Sequence, residues 1–362
     1  MDTLSSESRK EFGERLKIES QESVMRLIPQ FAEAQIHNLS PDVQQTAQEE
    51  RARSDDCGIL VFNMERGVHL EAIRDFLRDC PDVSPFDIIL ANELDDGCVR
   101  SGGLDTTAEL AKALGLNYVY ALEFIELANE ADPKGFHGNA IFSRWPFRRA
   151  RVVRLPEAYN WYFDRQTRIG GRCAILAEIE DGRGRHIGVG VMHLENRTDA
   201  AGRRMQMKTV LDAADEFFKE MPVILGGDLN TNTFDGRSVE DIGVIAADQT
   251  LRRQCLEDVF QNEPLLTDAE HRGYKCVPDR PVLTRRKPLP GGDVLGLRLD
   301  WIMARGMDVK ESRMISTRRA DFGFAKPGSA LCSFADEELS DHNAVWAACT
   351  EADRSNQKDF AV

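Results

Sequence analysis

Short apolar runs that break off in a carboxylate, an amide or a histidine recur along this chain. GILVF (58–62) gives way to Asn63 and Glu65, and FDIIL (86–90) to Asn92-Glu93. HIGVGVM (186–192) ends at His193, and PVILGG (222–227) ends at Asp228 and Asn230. LRLDWIMA (297–304) contains Asp300, and Asp341-His342 heads the apolar stretch DHNAVWAACT (341–350). Apolar runs of this length, bounded by turn residues, read as buried strands. The run YVYALEFIEL (118–127) and the segment GNAIFS (138–143) read the same way.

Between the strands the period changes to that of a helix. Val68, Ile73, Phe76 and Leu77 mark one helix, closed near Pro81. Asp105 can cap another over TTAELAKAL, with Gly115 at its end. Met207, Val210, Leu211, Ala214, Phe217 and Phe218 form the apolar face of a third. Strands alternating with amphipathic helices predict a layered α/β fold. In such folds ligands bind at strand ends, so the polar strand ends predict one convergent site.

Composition narrows the partners. The 362 residues carry a net charge of −15, which repels phosphate backbones at long range and disfavours nucleic acid as an obligatory partner. A local basic groove would still permit it. No apolar run nears the ~20 residues of a membrane helix. The N-terminus has no apolar signal core, so a cytoplasmic location is expected. The eight cysteines are scattered without a CxxC pair and are expected to be reduced core thiols. Length alone suggests two domains. Residues 1–55 are polar, with Val24, Leu27, Ile28 and Phe31 at helical spacing, and read as an extension that packs on the body or links to a partner. Residues 351–362 read as a frayed tail.

In order, the stations FNMERG (62–67), IILANELD (88–95), HGNAIFSR (137–144), VMHLEN (191–196), GGDLNT (226–231), LRLDWIMARG (297–306) and LSDHNAV (339–345) resemble the endonuclease/exonuclease/phosphatase superfamily. These are metal-dependent phosphoesterases related to pancreatic-type deoxyribonuclease. GDLN and SDH are the most specific stations. The second station commonly reads Gln-Glu where this chain has Asn92-Glu93, and an Asp often stands at the position of Glu65. Neither change removes a carboxylate. The resemblance implies a four-layer α/β sandwich of two mixed β-sheets packed face to face between helices. It thus implies one domain, 56–350, rather than two.

The resemblance also implies roles. Glu93, with Asn63, Glu65 and Asp341, would hold Mg²⁺ or Mn²⁺, ions that take hard oxygen ligands. Zinc on thiolates does not suit this residue set. Asp228 would hold or deprotonate the attacking water, and Asn230 would point the same way, on strand spacing, toward the phosphoryl oxygen. His342 paired with Asp300 would stabilise phosphorane charge or act as base. His193 would bind phosphate or protonate the leaving oxygen, and Asn139 would support the phosphate. His69, His137, His186 and His271 are assigned no role.

Two further features concern substrate. Arg148, Arg149, Arg151 and Arg154, then Arg165, Arg168 and Arg172, surround the aromatic YNWYF (159–163). They read equally as a grip on a phosphorylated ligand or as a solvated strand face. PVLTRRKPLPGGD (281–293) reads as a loop that can border the cleft. Three functions compete: a phosphoesterase acting on a small or lipid-derived ester, a nuclease of the same superfamily, and a non-catalytic binding protein. The intact acidic and imidazole stations favour the first.

Overall fold

A computed structural model of the protein describes residues 4–40, 56–83, 85–231, 239–289 and 292–352. The expected frayed tail beyond Ala352 lies outside them. In spatial order one sheet runs β1 (Ala34–His37), β4 (Asn117–Glu126), β5 (Phe136–Ser143), β3 (Ile88–Asp96), β2 (Cys57–Arg66), β16 (Ala344–Glu351) and β15 (Met307–Ile315). A short β7 (Arg168–Gly170) pairs with β4. The other sheet runs β11 (Lys275–Val277), β14 (Asp300–Arg305), β10 (Val223–Asp228), β9 (His186–His193), β8 (Cys173–Glu180) and β6 (Phe147–Arg154).

Alternation along each strand builds the layers. In β2, Ile59 and Val61 face the other sheet, where they meet Val189, Val191 and Ile224. Leu60 and Phe62 point outward onto Ile73 and Phe76 of the helix Leu70–Asp79 and Leu110 of the helix Thr106–Leu114. On the far side, Leu225 and Trp301 meet Met207, Leu211 and Phe218 of the helix Ala200–Phe218. The result is the expected four-layer α/β sandwich.

Asp105 caps its helix through the Ala108 N–H at 2.9 Å, and Gly115 ends it with φ of 65°. A helix Ser6–Arg15 comes first, and the helix read from Val24, Leu27, Ile28 and Phe31 is shorter than its periodicity suggests. It covers Gln21–Met25, then yields to a short turn of helix, Pro29–Phe31, because proline cannot continue the ladder. Val24, Ile28 and Phe31 are buried against Leu122, Ile125 and Ile169, whereas Leu27 is exposed. Residues 281–293 are not simply a loop: β12 (Arg285–Pro288) pairs with β13 (Val294–Leu297). Seven cysteines are buried and Cys332 is exposed, and among the described residues none forms a disulfide. Among the described residues no helix is long and apolar enough to cross a membrane.

Chain direction places the site. Most pairings are antiparallel, but β2 runs parallel to β3 and β9 runs parallel to β10. Each parallel pair is joined through a helix and so discharges two strand ends at the same edge. In the second sheet Asp228 lies opposite both His193 and Asp300. Asp341-His342 precedes β16, which runs antiparallel to β2 and returns to that edge.

The close approach at this edge depends on Gly227, whose φ is 136° and whose added Cβ would sit 2.0 Å from the Met192 carbonyl oxygen. Gly227→Ala is expected to lower the unfolding free energy by about 2–4 kcal/mol through strain and overpacking. Urea denaturation measures it, and a loss well below that range would contradict the β9–β10 register.

Candidate functional site

The strand ends are distorted where they reach the site. The β2–β3 ladder slips between Asn63 and Arg66, and the β3–β5 ladder slips between Ala91 and Leu94. Glu65, Arg66 and Glu93 take positive φ values of 44°, 68° and 56°. Non-glycine residues pay about 1–3 kcal/mol each for such backbones, and bulges of this kind re-aim side chains. Asn230 is also left-handed, at 49°. It does not lie on the strand, which ends at Asp228. Instead its N–H donates to Asp228 Oδ1 at 2.9 Å and its amide donates to the Leu194 carbonyl at 3.0 Å. The strand-spacing argument for Asn230 therefore does not hold, because the Asp228 carboxylate turns the chain first.

Asp228 is the meeting point. Asn63 Nδ2 donates to its Oδ2 at 3.1 Å and approaches Glu93 Oε1 at 3.3 Å. His193 Nε2 stands 3.5 Å from Asp228 Oδ2, and His342 Nε2 stands 3.7 Å from it. Burial opposes its charge, yet the His342 and His193 cations and the Asn230 N–H hold Asp228 far below the usual carboxylate range.

Each imidazole has a carboxylate behind it. His342 Nδ1 lies 2.8 Å from Asp300 Oδ2, as the sequence suggested. Asp300 is fully buried, and Thr284 Oγ1 accepts its N–H. Burial would lower His342, but Asp300 and Asp228 outweigh it and raise it to about 10. His193 Nδ1 lies 3.1 Å from Glu123 Oε2, a partner the sequence did not reveal. Arg172 Nη1 is 2.9 and 3.0 Å from the two ring nitrogens, a near-equality that puts it over the ring rather than in its plane. Burial and the Arg172 cation push His193 down, and Glu123 and Asp228 push it further up, to about 9.

The remaining expected residues divide. Glu65 accepts the Asp341 N–H at 3.0 Å, and burial plus the Asp341 charge raise its pKa. Asp341 is ion-paired to Arg285 at 2.7 Å. Glu93 is disfavoured as an anion by burial, but the cations of Arg66, His137, His193 and His342 hold it well below the usual carboxylate range. Asn139 is fully buried behind the site, where its Oδ1 accepts from Asn92 Nδ2 at 2.9 Å. Asn92 in turn accepts the Asp228 N–H at 2.8 Å and donates to the Met192 carbonyl, stitching the two sheets together.

Glu65, Glu93 and Asp341 carry carboxylate oxygens, the donor chemistry of magnesium or manganese, whereas Asn63 turns its Nδ2 to Asp228 and Glu93 and its Oδ1 to the Glu65 N–H. Among the described residues no three His, Cys, Asp or Glu side chains form a ready-made cage.

The cleft beside Glu93 and Asp341 has a volume of about 220 Å³. Arg66, Arg165, Arg168, Arg172, Arg197 and Arg285 line it, with His137 and Trp161. His137, which carried no role in the sequence, is buried with its Nδ1 2.8 Å from Asp95. The arginine cluster of the sequence divides, and Arg154 belongs to neither face, donating to the Leu122 carbonyl at 2.8 Å. Arg148, Arg149 and Arg151 pair with Glu180, Glu178 and Glu216 on the outside. Arg165, Arg168 and Arg172 face the cleft. A larger cavity, about 660 Å³, lies at the opposite ends of β9 and β10, and no expected site residue lines it.

The raised imidazoles make stability pH-dependent. Their contribution is complete below the ordinary histidine value of 6.5 and is lost as pH rises through about 9 and about 10. The melting temperature in EDTA is expected to fall across that window, and to fall less in His342→Gln. Equal falls in both proteins would contradict the His342–Asp300 pairing.

Comparison with known proteins agrees with this architecture. The solved structure of an endonuclease/exonuclease/phosphatase from Beutenbergia cavernae has a TM-score of 0.52 at 17% identity, covering 82% of this chain and 72% of that one. A family protein from Bacteroides thetaiotaomicron gives 0.51 at 14% identity, covering 82% and 98%. Likeness at such identity speaks for the fold alone. No curated protein matches the sequence. The model described as the Endonuclease/Exonuclease/phosphatase family matches residues 60–342, which span both sheets and every strand end described above. The chain belongs to the endonuclease/exonuclease/phosphatase family.

Proposed function

We propose that this protein is a divalent-metal-dependent phosphoesterase that hydrolyses a small phosphate ester by attack of water. The observation that carries the reading is the convergence of two carboxylate-backed imidazoles on one buried aspartate, beside the Glu93 cleft.

Asn63, Glu65, Glu93 and Asp341 would hold Mg²⁺ or Mn²⁺, which would neutralise phosphoryl charge and polarise the ester. Asp228, held as an anion by the His342 and His193 cations, would orient the attacking water opposite the leaving oxygen. Its own geometry is fixed by Asn63 and Asn230. His342, protonated and held by Asp300, donates to a phosphoryl oxygen as negative charge builds there. His193, whose pKa lies near 9, is charged at neutral pH and suited to give its proton to the departing oxygen. Asn230 and Asn139 act as supports: the first shapes the Asp228 turn, and the second holds Asn92.

Hydrolysis of p-nitrophenyl phosphate and bis-p-nitrophenyl phosphate tests the proposal. Turnover is expected with Mg²⁺ or Mn²⁺ and not with EDTA. Asp228→Asn is expected to lose at least about 10³-fold in kcat while keeping a native circular dichroism spectrum. Wild-type-like rates in that variant, or turnover unaffected by EDTA, would overturn the assignment.

A further inference from the structure

The cleft is more basic than one phosphate requires. Six arginines line it against two carboxylates, in a chain whose net charge is −15. They are not equally engaged. Arg285 is tied to Asp341 at 2.7 Å, and Arg172 is held by Asn196, Glu123 and Glu195. Three others are poorly compensated. Arg165 is exposed and makes no ion pair among the described residues. Arg66 reaches Glu65 only at 4.0 Å. Arg168 reaches Glu126 only at 3.7 Å, although it is buried and its Nε has no hydrogen-bond partner.

Burying a guanidinium without a close carboxylate is costly. Part of the cost is met by the rings, since Arg168 lies 3.9 Å over Trp161 and 4.0 Å over Phe124. Burial still pulls Arg168 down to about 10. Such a cation is placed for a charge that arrives from outside.

The walls also say what kind of charge. Trp161 is the one aromatic lining the cleft; it is buried, its face covered by Arg168 and its indole N–H donating to Glu195 at 2.9 Å. Strand binders use free aromatic faces on which bases stack, and this cleft offers none among the described residues. Its volume, about 220 Å³, is below the ~300–1,000 Å³ of ordinary ligand sites. The expected body is compact and polar.

We propose that Arg66, Arg165 and Arg168 form a second anion subsite, so that the substrate is a small phosphate ester bearing a second phosphate away from the scissile one. The proposal deepens the phosphoesterase reading and rests on it for the identity of the scissile group. The second phosphate sits on fixed guanidiniums and takes no part in bond breaking. Its contribution is to binding, where bidentate guanidinium–phosphate contacts give both energy and orientation.

Calorimetric titration of the full chain in EDTA reads the subsite without turnover. Fructose bisphosphate is expected to bind at least about tenfold more tightly than fructose monophosphate. Arg165→Gln, an exposed position, should cut that ratio several-fold, and Arg165→Gln with Arg168→Gln should abolish it. Circular dichroism checks that the double variant is folded. Equal affinities for the two sugars, or a ratio that survives in both variants, would overturn the subsite. A single-stranded hexanucleotide that binds more tightly than the bisphosphate would overturn it in favour of nucleic acid. A bisphosphate preference that depends on both arginines, in a protein that turns over no ester with metal, would support the subsite and sink the hydrolase reading alone.

Discussion

A buried carboxylate has to be surrounded by donors before a fold can keep it ionised. Asp228 meets that demand with groups from both sheets. Asn63 comes from β2, His193 from β9, His342 from the turn before β16, and Asn92 holds the Asp228 N–H from β3. None of these groups is near Asp228 in sequence. The carboxylate is therefore satisfied only when the two sheets pack in one register. The same packing that closes the apolar interior brings the polar strand ends to a single edge.

The site was legible wherever its chemistry was local. Apolar runs ending in Glu93, His193 and Asp228 could be seen because strand and terminal residue are contiguous. Helix caps at Asp105 and Gly115 were legible for the same reason. The hidden part lies in partnerships across the fold. Glu123 sits inside the apolar run of β4, and only its being a carboxylate midway along a buried strand could have marked it. The approach of Arg172 to His193 and the Asp95–His137 pair gave no local signal. Asn92 reads as a substitution in a metal station, yet in the structure it is a tie between sheets. Asn230 misled through a sound premise, since alternate residues share a face only while the strand continues.

Net charge was a poor guide to the cleft. The value of −15 is a sum over the surface and governs long-range encounter. Short-range recognition depends on which charges face inward. Here the outward arginines are neutralised by neighbouring glutamates along β6 and β8, while the inward ones are only partly balanced. Arginines close together in sequence thus face opposite ways, the outward ones on β6 of the second sheet and the inward ones on and around β7 of the first.

Residues 4–40 lie outside the 60–342 span of the family match, yet they belong to the working body. Arg9 donates to the carbonyls of Asp132 and Pro133, β1 extends the first sheet alongside β4, and Phe31 packs with Ile169 of β7. β4 and β7 are the segments that carry Glu123, Arg168 and the lead-in to Arg172. The appendage thus works as a buttress behind one wall of the arginine-lined cleft. The Asp228 cluster leans instead on the β2, β3 and β10 framework. Changes to the buttress would therefore move the arginine wall while leaving the Asp228 cluster as it stands.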